Sequence, residues 1–341
     1  MSVTIKDIAR KVGVSPSTVS RVINGNTAIS EETRIKIKEA MEEMDYHPNS
    51  LARNLVNGST DTIGLIMDAS DERSFFNTFF DRSVYAIEKV AQEKGYTLLI
   101  ANDGCTEKLS PLQKLVLEKK VDGLVLPSSI VRAGLVSFLQ ESGLPFVVLG
   151  EPECMKNETC WVDVDNEEGG LLAVRHLFGQ GYSNIALLVG SRKNVFVKNR
   201  ISGYQKGLQE AGIKVNEEWI RECQTQEDTE CAIAEFLHGG LRPDAIVCGD
   251  NILAWQAMQA LKKRKLHIPE EIGIVTFDNY PIAQYLDPPL TAVDVDTYGI
   301  GEQAVYQLLN KIKRTDSANQ HTLMSTNLLI RRSSERRGGM K

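Results

Sequence analysis

Residues 3–26 read VTIKDIARKVGVSPSTVSRVINGN, and their spacing predicts two short helices joined by a tight turn. Thr4-Ile5-Lys6-Asp7 has the Thr-x-x-acid form of a helix N-cap, and Ile5, Ile8, Ala9 and Val12 then recur at helical spacing. Gly13 supplies the stop, because glycine accepts the left-handed backbone that often closes a helix. Ser15 caps a second helix whose first residue, Pro16, has no amide hydrogen to lose, and Val19, Val22 and Ile23 form its inner face. Asn24-Gly25-Asn26 ends it. A third helix follows the Ser30 cap, with Glu31 and Glu32 at the positive end of its dipole and an apolar line through Ile35, Ile37, Ala40, Met41 and Met44.

This is the helix-turn-helix plan, in which the second helix enters the major groove of DNA. Ala9, Gly13 and Val19 occupy the places that need a small contact, an unhindered turn and a buried anchor. Pro16, Ser17 and Arg21 then face the groove, and Arg21 has the fork geometry for guanine. Ser15, Thr18 and Ser20 are placed to reach phosphates. The whole chain is acidic, with 39 Lys+Arg against 45 Asp+Glu and a net charge of −6. The first thirty residues are basic instead, with Lys6, Arg10, Lys11 and Arg21 against Asp7.

From residue 62 the pattern changes. Apolar runs such as TIGLIMDA (62–69), YTLLIAND (96–103), NIALLVGS (184–191), DAIVCGDN (244–251) and IGIVTFDN (272–279) alternate with amphipathic segments. Runs apolar on both faces predict parallel strands covered by helices, and ligands in such sheets sit beyond the strand carboxyl ends. Those ends are polar here: Asp68, Asn102-Asp103, Ser128-Ser129, Glu151, Asp250-Asn251 and Asp278-Asn279. Two sets of strands, divided near Asp163, predict two lobes with a cleft between them.

The runs at 3–26, ISEETRIKI at 29–37 and YHPNSLARNL at 46–55 resemble the signature of the LacI/GalR repressor family, and the likeness extends over almost the whole chain. The resemblance implies an α/β fold, with an N-terminal helix-turn-helix headpiece and a two-lobed core of parallel sheets like that of periplasmic binding proteins. It places the headpiece at 1–46, a hinge helix at 47–60 and the effector-binding and dimerisation core at 61–334. Lobe one takes about 61–161 and 292–320, and lobe two about 162–290 and 322–334, with crossings near Trp161, Leu290 and His321. Thr4 and Asn24 join the DNA contacts on the same resemblance. Asn49, Ala52 and Arg53 match minor-groove contacts, and Leu55 matches a leucine that wedges between base pairs, a device that exchanges stacking energy for a bend.

In the core, NVFVKNRISGYQKGL at 194–208 resembles the family's ligand loop and helix, so Phe196 and Arg200 are expected at the ligand, together with Asp68, Phe79, Asp250, Trp255 and Asp278. The family ends one strand with Asn-Asp, whereas this chain has Asp250-Asn251. The segments TFF (78–80), 190–208 and CGDNILAW (248–255) resemble the maltose-operon regulators more than the purine-responsive, lactose-responsive or catabolite-control branches, which makes maltose or a maltodextrin the expected effector. The expected partners are a near-palindromic operator and a second copy of the chain. Only six residues follow the last core segment, TLMSTNLLIRRSSE (322–335), and a dimer rather than a heptad-linked tetramer is expected.

Composition excludes several classes. A chain 42% hydrophobic and 25% charged is neither disordered nor fibrous, and neither a secretory signal nor a span of about 20 apolar residues is visible, so a cytoplasmic protein is expected. The six cysteines show no CxxC pair, and the five histidines (His47, His176, His238, His267, His321) have no triad or metal-ligand spacing. With no nucleotide or nucleophile-elbow motif either, no enzyme, cofactor or metal site is expected. The competing readings are a regulator of the catabolite-control type, whose effector is a phosphorylated protein, and a solute-binding protein without a DNA role.

Overall fold

The computed structural model describes residues 3–23, 28–47, 58–68, 78–103, 109–238, 242–313 and 318–336. The chain forms two compact units, Met1–Asp61 and Thr62–Lys341.

In the first unit, helices α1 (Ile5–Val12), α2 (Pro16–Ile23) and α3 (Glu31–Glu43) enclose a core of Ile8, Ala9, Val19, Val22, Ile37 and Ala40. The Asp7 carboxylate accepts from the Thr4 hydroxyl (2.7 Å) and the Thr4 amide (3.0 Å) at the start of α1. Gly13 closes the helix at φ +77°, with its amide on Ala9 O. Ser15 receives the Thr18 amide at 3.1 Å and starts α2. One expectation fails: Ile35 is 48% exposed. The helical period carries it outside the stripe that includes Ile37 and Ala40.

The second unit holds two six-stranded sheets. In chain order the first contains β1 (Thr62–Met67), β2 (Thr97–Asn102), β3 (Gly123–Pro127), β4 (Phe146–Leu149), β5 (Trp161–Val164) and β11 (His321–Met324). The second contains β6 (Ile185–Val189), β7 (Ile220–Glu222), β8 (Ala245–Cys248), β9 (Gly273–Phe277), β10 (Thr291–Asp294) and β12 (Asn327–Leu329). Pairing is parallel throughout except β12 against β10. The central strands are buried along their whole length, as in β8 and β9, which is why their sequence reads as continuous apolar runs.

The strand pairings fix where the chain passes between the sheets. Trp161 pairs with His321 and Val164 with Met324, so both strands belong to lobe one. Thr291 to Val293 pair with β9 in lobe two. The chain therefore changes lobe just after Val164, beside the division expected near Asp163, and just after Asp294 and Met324, a few residues beyond the crossings that the resemblance implied near Leu290 and His321. An apolar run marks where a strand lies, but only its hydrogen-bonding neighbour decides which sheet it joins.

Lobe two is organised by the packing of α7 (Asn166–Gly179) against α8 (Val195–Glu210). The two backbones touch. A Cβ on Gly203 would lie 1.8 Å from Glu167 O, and one on Gly170 would lie 2.4 Å from Arg200 O. Around this contact Leu177, Tyr204, Leu208 and Phe277 form a buried cluster. Gly203→Ala should lower the unfolding free energy of the core by at least about 2 kcal/mol, because backbone cannot yield as a side chain does. Gly134→Ala, on α6 (Ala133–Ser142) with open space around it, should cost nothing measurable. Urea denaturation of the two variants checks the contrast.

Candidate functional site

The headpiece presents one polar face. Ser15, Pro16, Ser17 and Arg21 are exposed on and beside α2, while Thr18 and Ser20 are half-buried. The Ser15 hydroxyl bridges those of Ser17 (2.7 Å) and Thr18 (2.8 Å), which holds three hydroxyls in one cluster at the helix start. Arg21 makes no ion pair among the described residues. Its guanidinium is thus unengaged, whereas Lys11 pairs with Glu43 and Arg10 lies 3.5 Å from Asp7. Thr4 is exposed but engaged with Asp7. Asn24, Asn49, Ala52, Arg53 and Leu55 lie outside the described residues.

The second site is built around Arg200, whose side chain is 7% exposed. It stands on α8 one turn before Gly203, where the backbone contact with α7 brings it to Asn166. Its Nε donates to Asn166 Oδ1 at 2.9 Å, and its two terminal nitrogens donate to Gly249 O at 2.5 Å and Asp278 Oδ1 at 3.4 Å. The guanidinium carbon lies 4.1 Å from the Phe277 ring centre and 5.1 Å from that of Phe196. Three of the five guanidinium N–H bonds are used inside the protein, which leaves two for a ligand.

Asp278 closes β9 in left-handed backbone, φ +65°, a conformation aspartate tolerates better than most residues. Asn251 holds it there, because its Nδ2 donates to the carbonyls of Phe277 (2.8 Å) and Asp278 (2.5 Å). An aspartate at 251 has no proton to give those carbonyls. Asp250 instead caps α10 (Asn251–Lys263), accepting from the Leu253 amide at 2.8 Å. The Asp250-Asn251 order thus divides the two tasks by chemistry. Asn251 Oδ1 is buried and has no hydrogen-bond partner among the described residues.

A polar chain continues into lobe one. Asn166 Nδ2 donates to Asp163 Oδ1 at 3.3 Å, and Asp163 Oδ2 accepts the Glu151 amide at 2.9 Å. Glu151 Oε2 accepts from Asn199 of lobe two at 3.1 Å, beside the Lys198–Glu153 pair at 2.7 Å. Burial raises the pKa values of Asp163, Asp250 and Asp278 above the ordinary aspartate value, while the Arg200 charge pulls each back.

The expected ligand residues are not all gathered. Arg200, Asp278, Asp250 and Phe196 come together, whereas Asp68 belongs to lobe one, where it accepts from the Ser129 hydroxyl at 2.6 Å. Trp255 is 39% exposed on α10, and the Phe79 side chain lies outside the described residues. Sequence reading did not name Asn166, Phe277 or Tyr280, whose hydroxyl donates to Asp278 Oδ2 at 3.3 Å. Asn166 carried no sequence signal, since its role depends on a helix 34 residues away. Among the described residues no cluster of His, Cys, Asp and Glu could hold a metal ion, and no helix is long and apolar enough to cross a membrane.

Residues 4–49 match the family described as bacterial regulatory proteins, lacI family, and residues 174–334 match the periplasmic binding protein-like domain. The HTH-type transcriptional repressor PurR of Aliivibrio fischeri (strain MJ11) is 33% identical, covering 97% of this chain and 98% of its own. The repressor PurR of Vibrio atlanticus (strain LGP32) is 35% identical over 92% of this chain and 93% of its own. Among solved structures, a complex of the transcriptional regulator CelR with cellobiose has TM-score 0.71 at 27% identity, covering 97% of this chain and 99% of that one. The Lac repressor dimer bound to operator and the anti-inducer ONPF has TM-score 0.80 at 24% identity, with 98% and 99% covered, and shares the fold.

Asp278 makes a pH prediction. Its raised pKa means that the folded chain holds the proton more tightly than the unfolded chain does. The stability this proton contributes is complete below the unfolded value and is lost as pH rises through the folded one. Asp278→Asn should therefore give a more positive slope of unfolding free energy against pH than the parent protein as pH rises above the ordinary aspartate value of about 4. Urea midpoints across that range measure it, and parallel slopes would contradict the assignment.

Proposed function

Because the chain belongs to the lacI family of bacterial regulatory proteins, we propose that α2 and the segment after the headpiece bind an operator, and that a small sugar in the Arg200 site releases it. The protein is a DNA-binding transcriptional repressor regulated by a ligand. The finer reading takes residues 1–46 as the reading head, 47–60 as a hinge helix formed on DNA, and 61–334 as the sensing core. Arg21, with Pro16 and Ser17, reads base edges, while Thr4, Ser15, Thr18, Ser20 and Asn24 fix the headpiece on the backbone. Asn49, Ala52 and Arg53 enter the minor groove, and Leu55 wedges the central step.

One observation carries the effector reading: Arg200 is already charge-matched by Asp278. Two guanidinium N–H bonds, the Asp278 and Asp250 carboxylates and the unpartnered Asn251 Oδ1 then offer donors and acceptors without net positive charge. That array suits a neutral molecule rich in hydroxyls, which can both give and receive hydrogen bonds. Phe196, 41% exposed and beside Arg200, supplies an apolar ring for a sugar face. Maltose or a maltodextrin is the favoured ligand, on the sequence resemblance, and the CelR structure holds a disaccharide in a related fold. Asp68 would close on the ligand from lobe one, together with Phe79.

A homodimer fits a twofold operator. The exposed apolar residues Ile252 (57%) and Trp255 (39%) on α10, with Ile282 (52%) and Tyr285 (79%), offer apolar area for the second copy. Ligand closure of the lobes would shift the first lobes of the two copies relative to each other, separate the hinges and withdraw Leu55.

Fluorescence-anisotropy titration of the protein onto DNA upstream of its own gene, at fixed stated salt, tests both halves with maltose, maltotriose, cellobiose, glucose and a purine base as additives. Weakened operator binding with a maltodextrin is the expected result, and release by the purine base alone would overturn the sugar reading. Leu55→Ala should weaken operator binding at least about tenfold, the scale of a lost apolar anchor, with sugar affinity unchanged. Arg200→Ala should do the reverse. A variant that loses both activities, although folded by circular dichroism, breaks the division of labour.

A further inference from the structure

A cavity of about 360 Å³ opens on lobe two between the second half of α10, the turn after it and the loop at 286–288. Its lining is mixed, with Gln259 and His267 beside an apolar part. Met258 is buried, and Leu266, Ile268 and Leu286 pack on the lobe's hydrophobic cluster with Met258 among its members. Pro288 completes that surface. The volume falls in the range of small-molecule sites, roughly 300–1,000 Å³.

The rim is cationic. Lys262 reaches it from α10 and Arg332 from the C-terminal segment, opposed by one lining carboxylate, Asp287. Their sequence neighbours all have partners: Lys263 pairs with Glu230 at 2.6 Å, Arg264 donates to Ala260 O at 3.0 Å, and Arg331 donates to Leu290 O and to Asn279 Oδ1. Lys262 and Arg332 have no ion pair among the described residues, although both are exposed. The carboxyl end of α10 already has the Arg264 hydrogen bond, so Lys262 is not needed there as its counter-charge.

We infer that this cavity is a second small-molecule site, which takes an organic anion with an apolar body, such as an aromatic ring carrying a short carboxylate arm. The ring lies on Met258, Leu266, Ile268 and Leu286, and the carboxylate bridges Lys262 and Arg332, whose guanidinium can hold it with two hydrogen bonds. The site is separate from the Arg200 site, whose cation is already balanced by Asp278, and it does not depend on the identity of the sugar effector.

The test uses the full-length protein with 3-phenylpropionate and naphthalene-2-carboxylate, each against its primary amide, by isothermal titration and saturation-transfer NMR. The carboxylates should bind at least tenfold tighter than the amides. Lys262→Gln combined with Arg332→Gln should remove that preference, and Asp287→Asn should tighten carboxylate binding at least twofold. Both changes lie on exposed side chains and leave the fold intact. Equal affinity for acids and amides, or binding that survives the double variant, would each overturn the proposal, as would failure of both carboxylates to bind.

Discussion

The close approach of α7 and α8 sets the geometry of the sensing lobe. Gly203 meets the carbonyl of Glu167, and Gly170 meets that of Arg200, at separations no other residue allows. A helix pair with side chains between its axes would stand further apart. Asn166 Oδ1 could then not reach Arg200 Nε at 2.9 Å. The same contact points the guanidinium at Gly249 O and Asp278, at the carboxyl ends of β8 and β9. A packing constraint thus fixes the position of a buried charge.

Burying a guanidinium is costly unless its charge and its N–H groups are met. The lobe meets them with one carboxylate, one amide oxygen, one backbone carbonyl and two aromatic rings. Asn251 in turn holds the strained turn at Asp278 by two hydrogen bonds. The cluster is therefore held in place by the protein's own hydrogen bonds. Its unused capacity, two N–H bonds and the Asn251 oxygen, is what a hydroxyl-bearing molecule would complete.

Asn166 also joins the lobes. It follows directly on β5, the last strand of lobe one before the first crossing, and its amide touches Asp163 on that strand while its oxygen holds Arg200. Glu151–Asn199 and Glu153–Lys198 run parallel to it. A movement of one lobe against the other must break or repack these contacts, so the state of the Arg200 site and the relative position of the lobes are not independent.

Elements with local causes were legible in the order of the residues. Thr4 with Asp7, Gly13 at positive φ and Ser15 before Pro16 specify the helix-turn-helix, because caps and turns act within four residues. Continuous apolar runs likewise marked the strands and placed Asp250 and Asp278 at their ends. Only the tertiary structure decided what depends on distant partners. The sheet that Trp161, Thr291 and His321 join is set by hydrogen bonding across the fold, so the exact residues of the crossings follow from pairing and not from the apolar pattern. The same is true of Asn166, which acquires its role from Arg200, and of Trp255, whose exposure depends on how α10 packs. Periodicity records which side of an element avoids water. It does not record what lies on the other side.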